Sequence, residues 1–192
     1  EAEDGCPADP EQFVRNLKEQ VTVPAGSEYT GAPTLTTRYR YIQLAGLDPV
    51  HSDWLAVESE ALLEVSDTYD HTLQTTQYSY HSDLENQFLY GRIKKETLSF
   101  SASSESHETD LCLFTDFEYL PVTGDFSRAD ETVLQIISTA SNNFDTATKI
   151  VTSKTSLIHG QPLLMQDENN VTIQYTYDVL MRVVREVVSP DQ

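Results

Sequence analysis

The feature that most constrains this chain is an aromatic-x-aromatic pair that returns along its length. It reads Tyr39-Arg40-Tyr41, Tyr78-Ser79-Tyr80, Phe117-Glu118-Tyr119 and Tyr175-Thr176-Tyr177-Asp178. Side chains along a strand alternate with a period of two, so both rings of each pair share a face. Repetition of that device describes a chain that stacks hairpins rather than one that shapes a catalytic pocket. Ten Tyr and seven Phe supply the large rings, and Ser and Thr are plentiful between them. β-Branched and aromatic residues suit a pleated, half-buried surface, so the expected class is all-β, with antiparallel hairpins in a curved sheet or spiral.

Charge removes several functions. The net charge is −19, whereas a nucleic-acid surface needs a basic stripe that displaces counterions. Anionic lipid is disfavoured for the same reason, and no apolar run is long enough to cross a bilayer. A solvated acidic surface accounts for the charge, although it could also attract a basic partner. Cys6 and Cys112 could pair, but two cysteines make no disulfide framework. The chain begins Glu1-Ala2-Glu3-Asp4 and stops at Gln192 soon after a strong strand. Those ends suggest a piece of something longer or a processed product.

The pattern along the chain divides it into a lead-in, 1–30, and a hairpin region, 31–192. In the lead-in, Asp9 suits a helix N-cap and Pro10 the first helical position. Phe13, Leu17 and Val21 would share one face, which allows a short helix over 9–23, or else an extended segment. Strands are expected over 35–44, 73–81, 93–100, 111–120, 132–139, 146–157, 163–166, 171–177 and 182–188. Trp54–Val65 satisfies both periods and is read as strand from its surroundings. The Ser- and Glu-rich stretch 101–109 reads as a loop, and Asn142-Asn143, 167–170 and 178–181 read as turns.

Two segments align without gaps. Gly91-Arg92-Ile93-Lys94-Lys95-Glu96-Thr97-Leu98-Ser99 matches Met181-Arg182-Val183-Val184-Arg185-Glu186-Val187-Val188-Ser189, and each follows a Tyr-x-Tyr strand. The first three aromatic pairs start 39 residues apart, and the fourth breaks that period at 175. An irregular repeat of hairpins is the economical reading.

These residues carry a resemblance. The run from Gly160-Gln161-Pro162 through Asp167, Thr172 to Asp178 and Arg182 to Pro190 resembles an RHS/YD repeat. The upstream region is most similar to the B component of bacterial insecticidal toxin complexes, where it leads into the YD repeats. The resemblance implies a secreted structural segment of a hollow β-shell, without enzymatic activity or cofactor, that encloses a toxic effector polypeptide. The implied partners are the rest of the shell chain, the other toxin-complex components and the effector. Tyr78, Tyr80, Tyr175 and Tyr177 are then expected as core rows, with Asp178 and Arg182 fixing a turn. There are departures from the pattern: Met181 and Asn170 replace turn glycines, His81 stands where Asp would follow Tyr80, and about ten residues are inserted before Gly91. The other reading is a secreted or surface β-domain that binds glycan or protein through exposed Tyr and Trp54.

Candidate chemistry is thin. His51, His71, His81, His107 and His159 form no metal-binding spacing. His51-Ser52-Asp53 and His81-Ser82-Asp83 look like twins, but adjacent strand side chains point opposite ways and cannot form a triad. Asp167-Glu168-Asn169-Asn170 offers oxygens that a calcium ion could use, yet it reads more simply as a hairpin turn. Glu58, Glu60, Glu64, Asp67 and Asp70 crowd one region. A hydrolase with paired acids would need two of them in a cleft, and a solvated face is the plainer reading. Asn170-Val171-Thr172 fits a glycosylation sequon, but a strand start explains it as well. No phosphate loop or nucleophile elbow occurs among the seven glycines.

Overall fold

The computed structural model describes residues 8, 16–24, 32–47, 52–66, 69–101, 110–123 and 132–190. Among the described residues the chain is all-β, with eleven strands and no helix. They are β1 Glu19–Thr22, β2 Thr34–Leu44, β3 Trp54–Val65, β4 Asp70–Tyr80, β5 Ile93–Phe100, β6 Leu111–Thr123, β7 Thr132–Asn142, β8 Lys149–Ser156, β9 Pro162–Gln166, β10 Val171–Tyr177 and β11 Val183–Pro190. The chain divides into two compact units, Glu1–Leu113 and Phe114–Gln192.

In the first unit, β1 to β5 lie side by side in chain order, each antiparallel to the next. In the second, β7 to β11 do the same. Strand β6 contains the boundary residues Leu113 and Phe114. This arrangement follows from the sequence, because polar connections, some short as at 66–69 and 167–170 and some long as at 81–92, separate alternating strands, and consecutive strands pair with their chain neighbours.

The helix allowed over 9–23 is not formed in its described part. Residues 9–15 lie outside the described residues, and Glu19–Thr22 is strand β1, paired from Glu19↔Arg38 to Thr22↔Leu35. Val21 and Thr22 are β-branched, and the edge of β2 offers them a ladder. An ion pair from Arg38 to Glu19 at 3.5 Å reinforces the pairing. Trp54–Val65 is a strand throughout. The loop read over 101–109 falls mostly outside the described residues.

The most enclosed positions are aliphatic or small. They are Thr36, Leu44, Ala56, Leu63 and Thr76 in the first unit, and Val133, Leu134, Ser156 and Leu163 in the second. Cross-strand pairing assembles them: Thr36 lies opposite Leu63, and Val133 opposite Ser156. Tyr78, Tyr80, Tyr175 and Tyr177 are half-buried. Their rings cover the sheet face while their hydroxyls remain available for hydrogen bonds.

Candidate functional site

The register exposes one construction built three times. In the hairpin β2–β3, Tyr39 lies opposite Glu60, and the register then slips between Arg40 and Tyr41, which leaves Glu58 as the extra residue of a bulge. In β4–β5, Tyr78 lies opposite Glu96, with a slip between Ser79 and Tyr80 that leaves out Lys94. In β10–β11, Tyr175 lies opposite Glu186, with a slip between Thr176 and Tyr177 that leaves out Val184. Each bulged residue is exposed. A bulge raises local twist and re-aims the side chain across from it.

The re-aimed side chain is the second tyrosine of each pair, and its hydroxyl donates back to the strand before. Tyr41 donates to the Leu17 carbonyl at 2.7 Å, Tyr80 to that of Val57 at 2.6 Å and Tyr177 to that of Pro162 at 2.6 Å. The geometry is the same each time. The ladder with the preceding strand reaches Glu19↔Arg38, Ser59↔Gln77 or Leu164↔Gln174 in the recorded register. The tyrosine stands three residues past that pair and its acceptor two residues past it. A splaying strand would leave that carbonyl without a backbone donor, and the phenol supplies one. We call this arrangement the tyrosine clamp.

The first tyrosine of the pair also has an acid beside it. The Tyr78 pKa is pushed up to about 12, first by burial and then by the nearby Glu60 and Glu96 carboxylates. Burial, then Glu60, raises the Tyr80 pKa as well. Burial, then Tyr175, raises that of Tyr177. All three phenols therefore stay protonated, and Tyr80 and Tyr177 serve as donors. None is prepared to act as a base or nucleophile.

Asp178 and Arg182 meet as a closed turn. The Asp178 carboxylate accepts from the Leu180 and Arg182 amides at 2.9 and 3.0 Å, and from the Arg182 guanidinium at 2.7 and 2.6 Å. These bonds hold its pKa below the ordinary carboxylate value, the Arg182 amide contributing most. The backbone closes from Asp178 N–H to the Arg182 carbonyl and from Met181 N–H to the Asp178 carbonyl, both at 3.0 Å. Met181 adopts φ 60°, so the left-handed conformation is kept without glycine. Asp167 repeats the design: its carboxylate accepts from Asn169 and Val171 at 2.9 Å, and Asn170 adopts φ 60°. The oxygens of 167–170 thus serve a hairpin turn. Among the described residues no His, Cys, Asp or Glu cluster could hold a metal ion.

The remaining sequence candidates do not converge. His51, His107 and Asp67 lie outside the described residues. In the twin motifs, Asp53 caps the Gly46 amide at 3.0 Å and Asp83 that of Glu85 at 3.0 Å, so both are loop-capping groups. His71 lies in β4, and His159 rests against Tyr177 with ring centroids 5.5 Å apart. The crowded acids go to separate neighbours: Asp70 pairs with Arg38 at 2.9 Å and Glu58 with Arg40 at 3.9 Å, while the Glu60 charge bears on Tyr78. Arg40, Glu58, Ser59, Gln77 and Tyr78 line an open cleft of about 460 Å³ beside the first bulge. Cys112 carries a thiol 3.5 Å from the Ser99 hydroxyl, and Cys6 lies outside the described residues. Among the described residues no helix is long and apolar enough to cross a membrane.

Sequence reading missed the third copy of the construction, β2–β3, and with it the role of the acids. The signal was present as Val57-x-x-Glu60, Ile93-x-x-Glu96 and Val183-x-x-Glu186, each following a Tyr-x-Tyr strand. The fold and its recurrent clamp define a class: an all-β protein of repeated, clamped hairpins. No protein-family model, no curated protein and no solved structure matches the chain.

Proposed function

We propose that the chain is a structural wall segment of a secreted shell of the RHS/YD-repeat kind, which encloses a toxic polypeptide together with the other components of a toxin complex. The observation that carries this reading is the clamp itself, repeated at Tyr41, Tyr80 and Tyr177. Each clamp fastens a hairpin to the strand before it. The recurrent element of the repeat is therefore an attachment between hairpins and not a pocket. An isolated hairpin is marginal in water, and fastening each to its predecessor lets a ribbon extend. The resemblance of the 160–190 run to YD repeats supplies the shell and its cargo.

The test is electron microscopy of the complex assembled from this chain and its toxin partners, with protease treatment of the cargo in parallel. The expected result is a closed β-wall and a cargo that survives digestion. An open assembly whose cargo is cut as fast as the unbound polypeptide would overturn the reading.

A further inference from the structure

The geometry points to the outer edge of β11 as a docking edge for one more antiparallel strand, and to a Tyr-x-Tyr pair as the feature that edge selects. The occupant is the next hairpin of the wall, so the inference rests on the wall reading and adds the chemistry of the joint. The basis is the equivalence of β11 with β3. Val183, Val184, Arg185, Glu186, Val187 and Val188 stand in their hairpin where Val57, Glu58, Ser59, Glu60, Ala61 and Leu62 stand in theirs, with the bulge at the same step.

Strand β3 shows what covers such an edge. It is covered by β4, in register from Ser59↔Gln77 to Val65↔Asp70. Two groups of β3 then meet the two phenols of β4: the Val57 carbonyl accepts from Tyr80 at 2.6 Å, and the Glu60 carboxylate lies near enough to Tyr78 to raise its pKa. Strand β11 presents the same two groups at the same spacing, the Val183 carbonyl and the Glu186 carboxylate. Arg182 gives its carbonyl inward to Asp178, so backbone alternation turns that of Val183 outward.

Exposure agrees. Val57 and Leu62 are half-buried beneath β4, whereas their counterparts Val183 and Val188 are 51% and 59% exposed. Among the described residues no strand lies beyond β11. A strand edge with exposed valines on it invites pairing unless it is covered. Addition of a strand supplies backbone hydrogen bonds for affinity and side-chain acceptors for selectivity.

The test uses the 192-residue chain and a synthetic peptide of the β4 sequence, Asp70–Tyr80, with fluorescence anisotropy for affinity and hydrogen exchange for location. The expected result is protection of β11 amides and unchanged exchange in β1. A peptide with both tyrosines replaced by Phe should bind about tenfold more weakly, because a phenol donating to a buried or charged acceptor is worth that much. Glu186→Gln in the chain should weaken the unmodified peptide and leave the Phe peptide unchanged. Equal affinity of the two peptides, protection elsewhere than β11, or concentration-dependent protection of β11 without peptide (a second copy seated there) would overturn the inference. A closed, protective shell whose β11 ignores the peptide would remove this inference alone. Peptide capture by a chain that forms no shell would remove the wall reading alone.

Discussion

The tips of β4–β5 and β10–β11 close in the same way and differ in everything between the closing residues. In the longer tip, His81 donates to the Arg92 carbonyl at 2.9 Å and Gly91 to that of His81 at 2.9 Å. In the shorter tip, Asp178 and Met181 make the corresponding two bonds. Gly91 and Met181 both have positive φ, 76° and 60°. Yet residues 82–90 intervene in one, and only Val179 and Leu180 in the other. The long tip folds back on its neighbour: Tyr90 donates to the Ala45 carbonyl at 2.7 Å, and Gly91 lies so near Trp54 that a Cβ would sit 2.7 Å from the indole. Glycine is thus needed twice over at 91, for its backbone and for its neighbour, whereas at 181 only the backbone asks for it. The comparison teaches that the clamp and the two closing bonds define the hairpin, and that the loop chemistry is negotiable.

The severest way to break that equivalence is to remove the rings. Tyr80→Ala and Tyr177→Ala should each destabilise their unit by about 2–3 kcal/mol in chemical denaturation, through lost area and a lost donor. A change under about 0.5 kcal/mol at either would place that ring on an unimportant surface. Next comes the exchange of turn residues. Gly91→Met should cost about 2 kcal/mol, from the positive φ and the displaced indole. In a Trp54→Ala background the cost should shrink towards the backbone share alone. The milder Tyr80→Phe and Tyr177→Phe changes should cost about 1 kcal/mol each, and similarly, since they delete the same hydrogen bond. A marked inequality would show that one clamp does not hold. Met181→Gly should be neutral or stabilising by up to about 1 kcal/mol, because relief of positive φ is opposed by the freer unfolded chain.

The effects of pH differ in sign. The Tyr78 pKa is raised from 10 to about 12, so its contribution is intact below the ordinary value and fades as pH climbs from 10 towards 12. Asp178 is lowered from 3.8, so its contribution is present above that value and is lost as pH falls through the lower native value. Denaturation midpoints of Tyr78→Phe and Asp178→Asn across pH should lose the alkaline and the acid slope respectively. Retention of both slopes in both variants would assign them to other groups.

Much of the fold was legible because the period of two is local information. The alternation of Val171, Ile173, Tyr175 and Tyr177 predicts β10, and the Asp-led turn after it needs no tertiary contact to form. Strand β1 was less legible, since Leu17 and Val21 also fit a helical face and only the edge of β2 decides between the two. The clamp was half legible. The tyrosine pairs stand out, but their acceptors are backbone carbonyls of Leu17, Val57 and Pro162, and a carbonyl leaves no mark in a sequence. The glutamates opposite the first tyrosines were visible as letters. Their role depends on a bulge that only the register reveals.

The closing bonds at His81, Gly91 and Arg92 have one further effect. Whatever lies between them hangs outside the ladder, so its length and composition can drift without re-timing a single strand. The short tip from Asp178 to Arg182 has the same two anchors. It is a natural graft point, where a foreign recognition loop could be spliced in while the ribbon beneath stays constant.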